Sequence, residues 1–288
     1  KGQRMKRVIL CPNPYRDNEL TVAKRSRQLL EQIGFETVVC LPFSREGYGD
    51  QLGVPIRQLQ QEIKRADLLI AFGGDGTILH LARFARTHNI PILGVNTGSL
   101  GYMAELEPGE MHLLRKVVEG KYRLEPHMML DFRVIRNGRV IHQDTALNET
   151  TIRTSAVGKE IHFVIYADGV ELFACSGDGV IVGTPTGSTA YNVSAGGPIV
   201  EPTAENILVT PICAHDLRVR PCVLSKDRVV TVELGHIGKK GVFLSPDGGS
   251  FRLSDHDKVE LRSSDSHINL VRVTNRSFYE ILHQKLGT

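Results

Sequence analysis

Phe72-Gly73-Gly74-Asp75-Gly76-Thr77 decides how the first half of the chain is read. An apolar run, Leu68 to Ala71, precedes it, and a helix-patterned run, Ile78 to His88, follows. Strand, glycine turn, helix is the context in which exposed backbone N–H groups and a helix N-terminus attract phosphate. Three glycines let the backbone approach an anion with no Cβ in the way. Asp75 would repel that phosphate, so a carboxylate here implies a second task in the same site, on a proton or a hydroxyl. A phosphate loop with a built-in base is one reading. A plain cap for the following helix is the other.

Working outward, strand and helix patterns alternate. Val8 to Cys11 is a short buried strand, and a helix is expected from about Asn18 to Ile33, stopped by Gly34. Phe35 to Leu41 reads as a second strand and residues 42–54 as a flexible loop. Pro55 to Ala66 suits a helix with Pro in its first turn, Asp67 to Phe72 a third strand and Ile90 to Val95 a fourth. Such alternation implies a parallel sheet covered on both faces, with ligands at the carboxyl ends of its strands. A second glycine loop, Asn96-Thr97-Gly98-Ser99-Leu100-Gly101, lies at the next strand end. Neither loop completes G-x-G-x-x-G, and no Gly-Lys-Ser/Thr of a P-loop is present, so a phosphate donor must be held in another way.

After a short helix, about Gly109 to Glu119, the pattern changes to strands and turns. Asn137-Gly138 between Asp131–Arg136 and Arg139–His142, and Asp168-Gly169 between Ile161–Ala167 and Val170–Cys175, are two-residue hairpin signals. Val229 to Leu234, Gly241 to Leu244 and Lys258 to Leu261 add strands. The expected fold is an α/β first domain with a parallel sheet (1–103 plus about 266–288) and an all-β, sandwich-like second domain (104–265). A C-terminal amphipathic helix, Ser277 to Leu286, returns to the first.

The loops of the second half carry polar groups suited to a ligand. Asn148 and Glu149 stand side by side before Thr150 to Ile152. Adjacent strand residues face opposite ways, so both reach one ligand only at a strand end or a bend. Gly183 to Pro198 crowds small hydroxyl residues, glycines and Tyr191 together. It reads either as a wrap around a polar ligand or as a turn-rich linker that starts a helix near Ser188. Pro246-Asp247-Gly248-Gly249 is a turn signal.

Composition narrows the classes. In 288 residues, 41% are apolar and 23% charged, with a net charge of +3, which argues for neither nucleic-acid nor membrane binding. No stretch reaches the roughly 18 apolar residues of a membrane span, and no signal-peptide pattern is seen, so a cytoplasmic location is expected. Lys1 to Arg4, ahead of Met5, read as an extension before the natural start. The five cysteines lack close pairing and read as free thiols, mostly buried. No Cys-x-x-Cys or His-Glu-x-x-His occurs, so no protein-held metal site is expected.

Taken in order, Gly73 to Thr77, Asn96 to Gly101, Leu147 to Glu149, Asp178-Gly179 and Thr184 to Tyr191 resemble the NAD kinase family of bacterial type, which makes NADP from NAD and ATP. The resemblance runs from about Val8 to Leu286; Tyr102 stands where many relatives have Phe. It implies that Asp75 acts as general base toward the adenosine-ribose 2′-hydroxyl of NAD. It implies ATP phosphates at Gly73, Gly74, Gly76 and Thr77, with Gly76 also against NAD. Asn148 and Glu149 would bind the NAD adenosine, and Asp178 would reach the NAD of a neighbouring subunit. Thr186, Thr189, Ala190 and Tyr191 would line the adenine end, Ser194 would lie near the nicotinamide end, and Asp247 and Gly248 near ribose and phosphate. Mg2+ or another divalent cation would accompany ATP, and the chain would form a homodimer or homotetramer with shared sites. Two rivals remain on the sequence: a diacylglycerol-type lipid kinase with a similar glycine loop, and a non-catalytic NADP-binding regulator.

Overall fold

The computed structural model describes residues 6–43, 53–99, 101–155, 159–238 and 241–287. Most of the expected 42–54 loop, and Leu100 of the second glycine loop, lie outside the described residues. The chain divides into two compact units, Lys1–Pro126 with Ile268–Thr288, and His127–His267.

The first unit begins with β1 (Arg7–Pro12), α1 (Thr21–Gln32), β2 (Glu36–Cys40), β3 (Ile56–Arg57) and α2 (Leu59–Glu62). It continues through β4 (Leu68–Gly73), α3 (Asp75–Ala85), β5 (Ile92–Asn96) and α4 (Arg115–Val118). The strands run parallel in the order β5-β4-β1-β2-β3. Every residue of β4 is buried, as a strand covered on both faces must be. The first helix starts later than its pattern suggested, because Glu19 and Leu20 take left-handed conformations (φ 53° and 55°). Buried Asp17 then caps α1 from outside, its carboxylate accepting the N–H groups of Val22 and Ala23, both at 2.9 Å. The helix expected over Pro55 to Ala66 is cut to Leu59–Arg65, its last turn a 3-10 turn, because Ile56 and Arg57 pair with β2 instead.

The second unit is mostly antiparallel. Its strands are β6 (Arg123–Arg136), β7 (Arg139–Ala146), β8 (Glu149–Thr154), β9 (Ile161–Ala167), β10 (Val170–Gly177) and β11 (Gly179–Gly183). After the short α5 (Tyr191–Ser194) come β12 (Asn206–Ile212), β13 (Cys222–Ser225), β14 (Val230–Leu234), β15 (Val242–Pro246), β16 (Phe251–Leu253) and β17 (Lys258–Arg272). One sheet orders β10-β9-β14-β17, with β6 and β7 beyond β17; the other orders β13-β12-β11-β8-β15-β16. Buried Phe163, Val232 and Leu261 of the first meet Ile152, Val182 and Leu244 of the second in one core, the sandwich the alternating pattern implied. Both hairpin turns take the expected positive φ: Asn137 and Gly138 at 50° and 73°, Asp168 and Gly169 at 50° and 79°.

The end of β17 belongs to the first unit, where Leu270 pairs with Ile92 of β5 in parallel. There Arg272, 8% exposed, donates to Glu125 (2.8 Å) and to the Met103 carbonyl (3.1 Å), with Glu105 at 3.4 Å. Buried Glu105 accepts the N–H groups of Val273 (2.8 Å) and Thr274 (2.6 Å). Helix α6 (Phe278–Leu286) follows, opened by a reciprocal cap in which Ser277 and Glu280 exchange side-chain and backbone bonds. Replacing Arg272 by Met leaves buried Glu105 without its cation, while Glu125 keeps only Arg123. The expected loss is about 3–5 kcal/mol, read as a lower urea midpoint of unfolding; an unchanged midpoint would contradict this role.

Candidate functional site

In the first unit, β4 and β5 pair with Gly73 opposite Asn96, so both glycine loops leave the sheet at neighbouring carboxyl ends. The N–H of Thr97 bonds the Gly73 carbonyl at 3.1 Å, tying the loops together. Gly73 is required by contact: a Cβ there would fall 2.1 Å from Thr77 Oγ1. Thr77 is buried, and its hydroxyl accepts from Asn13 Nδ2 at 3.1 Å. Gly74 and Gly76 differ. A Cβ on either meets nothing within 4 Å among the described residues, and neither has positive φ.

Asp75 is the first residue of α3, and Gly74 is the N-cap. The carboxylate of Asp75 does not cap the helix. It accepts the backbone N–H of Tyr102 at 2.8 Å and of Met103 at 3.0 Å. Gly101 makes room for this, since a Cβ there would lie 2.2 Å from Asp75 Oδ1. Burial and the nearby Asp75 push the Tyr102 phenol above its ordinary pKa. The Tyr102 ring meets Phe278 of α6, centroids 6.0 Å apart, and Lys285 Nζ lies 4.4 Å from its centre. A carboxyl group has about four lone-pair positions. Two backbone donors therefore fix its orientation and leave acceptor capacity for a hydroxyl.

In the second unit, Leu147 to Glu149 turn sharply into β8, meeting the requirement of a bend. The turn is held from both sides. Asp247, itself at φ 44°, accepts the N–H groups of Leu147 (2.7 Å), Asn148 (3.0 Å) and Glu149 (3.2 Å). From the other side, Thr184 donates its hydroxyl to the Leu147 carbonyl (2.5 Å) and its N–H to that of Asn148 (2.9 Å). Gly187 packs so closely that a Cβ would sit 2.2 Å from the Asn148 carbonyl oxygen. The side chains held by this turn stay open: Asn148 Oδ1 and Glu149 Oε2 are buried with no hydrogen-bond partner among the described residues. Burial, with Asp247 adding repulsion, raises the Glu149 carboxyl to about 7.

Gly183 to Pro198 supports this turn through buried polar groups. Ser188 bonds both the carbonyl and the N–H of Val200 (3.0 Å each). Asn192 donates to the Ser188 and Pro198 carbonyls and accepts from Thr210 at 2.6 Å. Helical turns cover Thr186–Thr189 and Tyr191–Ser194, so the expected start near Ser188 falls inside the first of two short pieces. Thr186 is buried with its hydroxyl 2.8 Å from Nδ1 of His127, a histidine that nothing in the local sequence singled out. Thr189, Ala190 and Tyr191 are half-buried and Ser194 is exposed.

The second unit thus brings Asn148, Glu149, Asp247, Gly248 and the Thr184–Thr189 stretch together. Asp178 stands apart. β11 pairs with β8 so that Gly183 faces Glu149 while Gly179 faces Arg153. Asp178 therefore sits at the far end of that strand pair, roughly five residues or ~17 Å along it from Glu149. It is exposed, beside the thiol of Cys213, whose pKa it helps to raise after burial.

A parallel α/β unit with a fixed carboxylate in a glycine loop, and a β-sandwich unit with an open polar turn, carry the parts that a phosphotransferase acting on a nucleotide needs. The family profile of the ATP-NAD kinase N-terminal domain matches residues 8–122, and that of the ATP-NAD kinase C-terminal domain matches residues 147–273. The NAD kinase of Caldanaerobacter subterraneus subsp. tengcongensis is 35% identical over 285 residues, covering 98% of this chain and 99% of that one. The NAD kinase of Syntrophotalea carbinolica is 40% identical over 223 residues, 77% of this chain and 78% of that one. Among solved structures, yeast NADH kinase complexed with NADH superposes with a TM-score of 0.86 at 26% identity, covering 99% of this chain and 88% of that one. An NAD kinase from Archaeoglobus fulgidus in complex with ATP gives 0.72 at 25%, covering 98% of each. The chain belongs to the NAD kinase family, and its activity is that of an NAD+ kinase.

Two outcomes follow from this geometry. In Gly101→Ala the new methyl pushes on the end of a rotatable side chain, so the fold should survive while the carboxylate is turned. Turnover is expected to fall by about 10²-fold, with little change in melting temperature; wild-type turnover would contradict the contact. Glu149 gives a pH signature. Its folded pKa of about 7 lies above the reference value of 4.5, so its contribution to stability is complete below about 4.5 and is lost as pH rises through 7. Glu149→Gln lacks that loss and should gain a few kcal/mol relative to wild type between pH 5 and 8.5. Parallel pH–stability curves for the two proteins would contradict it.

Proposed function

We propose that Asp75 is the general base of the reaction: it takes the proton of the adenosine-ribose 2′-hydroxyl of NAD as that oxygen attacks the γ-phosphorus of ATP. The bond to the leaving ADP oxygen breaks, and NADP+ and ADP result. The observation that carries this reading is the carboxylate of Asp75, oriented by two backbone N–H groups and set at the N-terminus of α3. Phosphoryl transfer is mostly positioning and charge neutralisation, and an oriented carboxylate supplies the positioning of the attacking hydroxyl.

The glycines fit the donor. Gly74 and Gly76 lack side chains for no reason within the described residues, which supports close approach by phosphate at Gly73, Gly74, Gly76 and the backbone of Thr77. NAD would be held by the open Asn148 and Glu149 side chains. Thr189, Ala190 and Tyr191 would be beside the adenine, and Ser194 toward the nicotinamide. In this reading Asp247 and Thr186 help hold the turn and its backing, Asp247 accepting from the 147–149 backbone and Thr186 bonding His127. The position of Asp178 at the far end of β8 and β11 supports its serving the NAD of a second subunit in a homodimer or homotetramer.

Kinases of this family use ATP, generally with a divalent cation. Among the described residues no three His, Cys, Asp or Glu side chains group to hold a metal. Mg2+ keeps its waters and binds through substrate phosphates with one or two carboxylates, and Asp75 is a carboxylate of the glycine loop that would fit it. When bound, the cation would neutralise phosphate charge. No described helix is long and apolar enough to cross a membrane, and the cytoplasm is the compartment we propose.

Asp75→Asn keeps the shape and removes the base. Turnover, followed as NADP formation with an NADP-specific dehydrogenase, should fall by about 10²–10⁴-fold, while NAD binding by calorimetry stays within a few-fold. A variant that turns over normally removes Asp75 from the role; one that loses NAD binding assigns it to binding instead.

A further inference from the structure

β3 is two residues long and pairs with β2 only at Val39 and Cys40. The outer edge of β2 from Glu36 to Val38 therefore has no strand partner among the described residues. Beside that edge lies a cavity of about 430 Å³, and the residues around it are unusually rich in guanidinium groups: Arg7, Arg27, Arg57 and Arg65, against the two carboxylates Glu36 and Glu62.

The charges are not evenly matched. Arg7, its side chain 16% exposed, lies between both carboxylates, with Nε 3.3 Å from Glu36 and its other arm on Glu62. One largely buried cation thus answers both acids of the lining. Arg27 is engaged by Glu31 at 2.8 Å, which also accepts the Thr37 hydroxyl at 2.6 Å. Arg57 and Arg65 are exposed and have no hydrogen-bond or ion-pair partner among the described residues. A solvated basic face would spread such charges over convex surface. Here they border a concavity in the size range of small-molecule sites, roughly 300–1,000 Å³. No described residue of Gly73–Thr77 or Asn96–Met103 lines it.

We propose that this cavity is a second anion site, which binds a small phosphorylated compound carrying a diphosphate or two phosphate esters, independently of the glycine loop. The planar fork of a guanidinium matches two phosphate oxygens at once. Arg57 and Arg65 supply the unspent forks, and the outward-facing peptide N–H of Thr37 on the edge of β2 supplies a neutral donor. Two monovalent cations favour a ligand of at least two negative charges over a simple carboxylate.

The probe is inorganic pyrophosphate, titrated by calorimetry at low ionic strength into wild type and into Arg57→Gln/Arg65→Gln. Both positions are exposed, so the variant should melt at the wild-type temperature. Its kcat, and its KM for NAD and for ATP without pyrophosphate, should be unchanged. Pyrophosphate affinity is expected to fall by about tenfold or more, since each lost charge-assisted pair is among the stronger hydrogen bonds. A charge-matched control, Arg139→Gln/Arg252→Gln in the second unit, should stay within about twofold of wild type. Equal affinity in wild type and the Arg57/Arg65 variant would place the anion elsewhere and overturn the proposal. So would an equal loss in the control, or no binding by wild type at millimolar pyrophosphate.

Discussion

The carboxylate of Asp75, held by the N–H groups of Tyr102 and Met103, is the interaction on which the geometry of the glycine-loop site depends. A carboxylate takes a proton from a hydroxyl efficiently when it is held in one orientation, and a surface Asp has free rotors. Two peptide donors remove that freedom. They stay in place because Gly101 gives the carboxylate room and because the Met103 carbonyl is itself taken by Arg272. Arg272 is locked in turn by Glu105 and Glu125, and Glu105 receives the backbone of Val273 and Thr274. The return of the C-terminal segment to the first unit therefore steadies the backbone at Met103, next to the N–H groups that orient the Asp75 carboxylate.

The second unit repeats the device with the roles reversed. There a carboxylate, Asp247, fixes a backbone turn, so that the side chains of Asn148 and Glu149 are presented with open polar atoms. Buried polar atoms without partners cost stability, and a site that binds a polar ligand carries that cost when empty. Glu149 reduces it by holding its proton toward neutral pH. The Gly183–Pro198 stretch, read by composition as either a ligand wrap or a linker, backs the turn through Thr184, Ser188 and Asn192, which turn polar groups onto backbone.

Much of this was legible in the sequence, and for local reasons. Asn137-Gly138 and Asp168-Gly169 demand positive φ, so they marked hairpins wherever they fell. The glycine loop between an apolar run and a helical run marked a strand end. Long-range partners were not legible. Ile56 and Arg57 carry a helix-like pattern, yet the free edge of β2 takes them. Lys258 to Leu261 showed alternation, but β17 runs on through polar Arg262 to His267, whose sequence gives no strand signal. His127 meets Thr186 across 59 positions and Asp247 meets Asn148 across 99. Nothing in either neighbourhood announces the other. The capping reading of Asp75 failed for the same reason, because its partners are 27 and 28 residues away.

The most direct test of the account is where the new phosphate sits on the product. Wild-type protein, NAD, ATP and magnesium would be followed by phosphorus NMR. The account predicts one new phosphomonoester, on the 2′-oxygen of the adenosine ribose, growing in step with ADP. A phosphate on any other hydroxyl, or ADP released without phosphorylated dinucleotide, would contradict the claim that the Asp75 carboxylate selects and activates that oxygen.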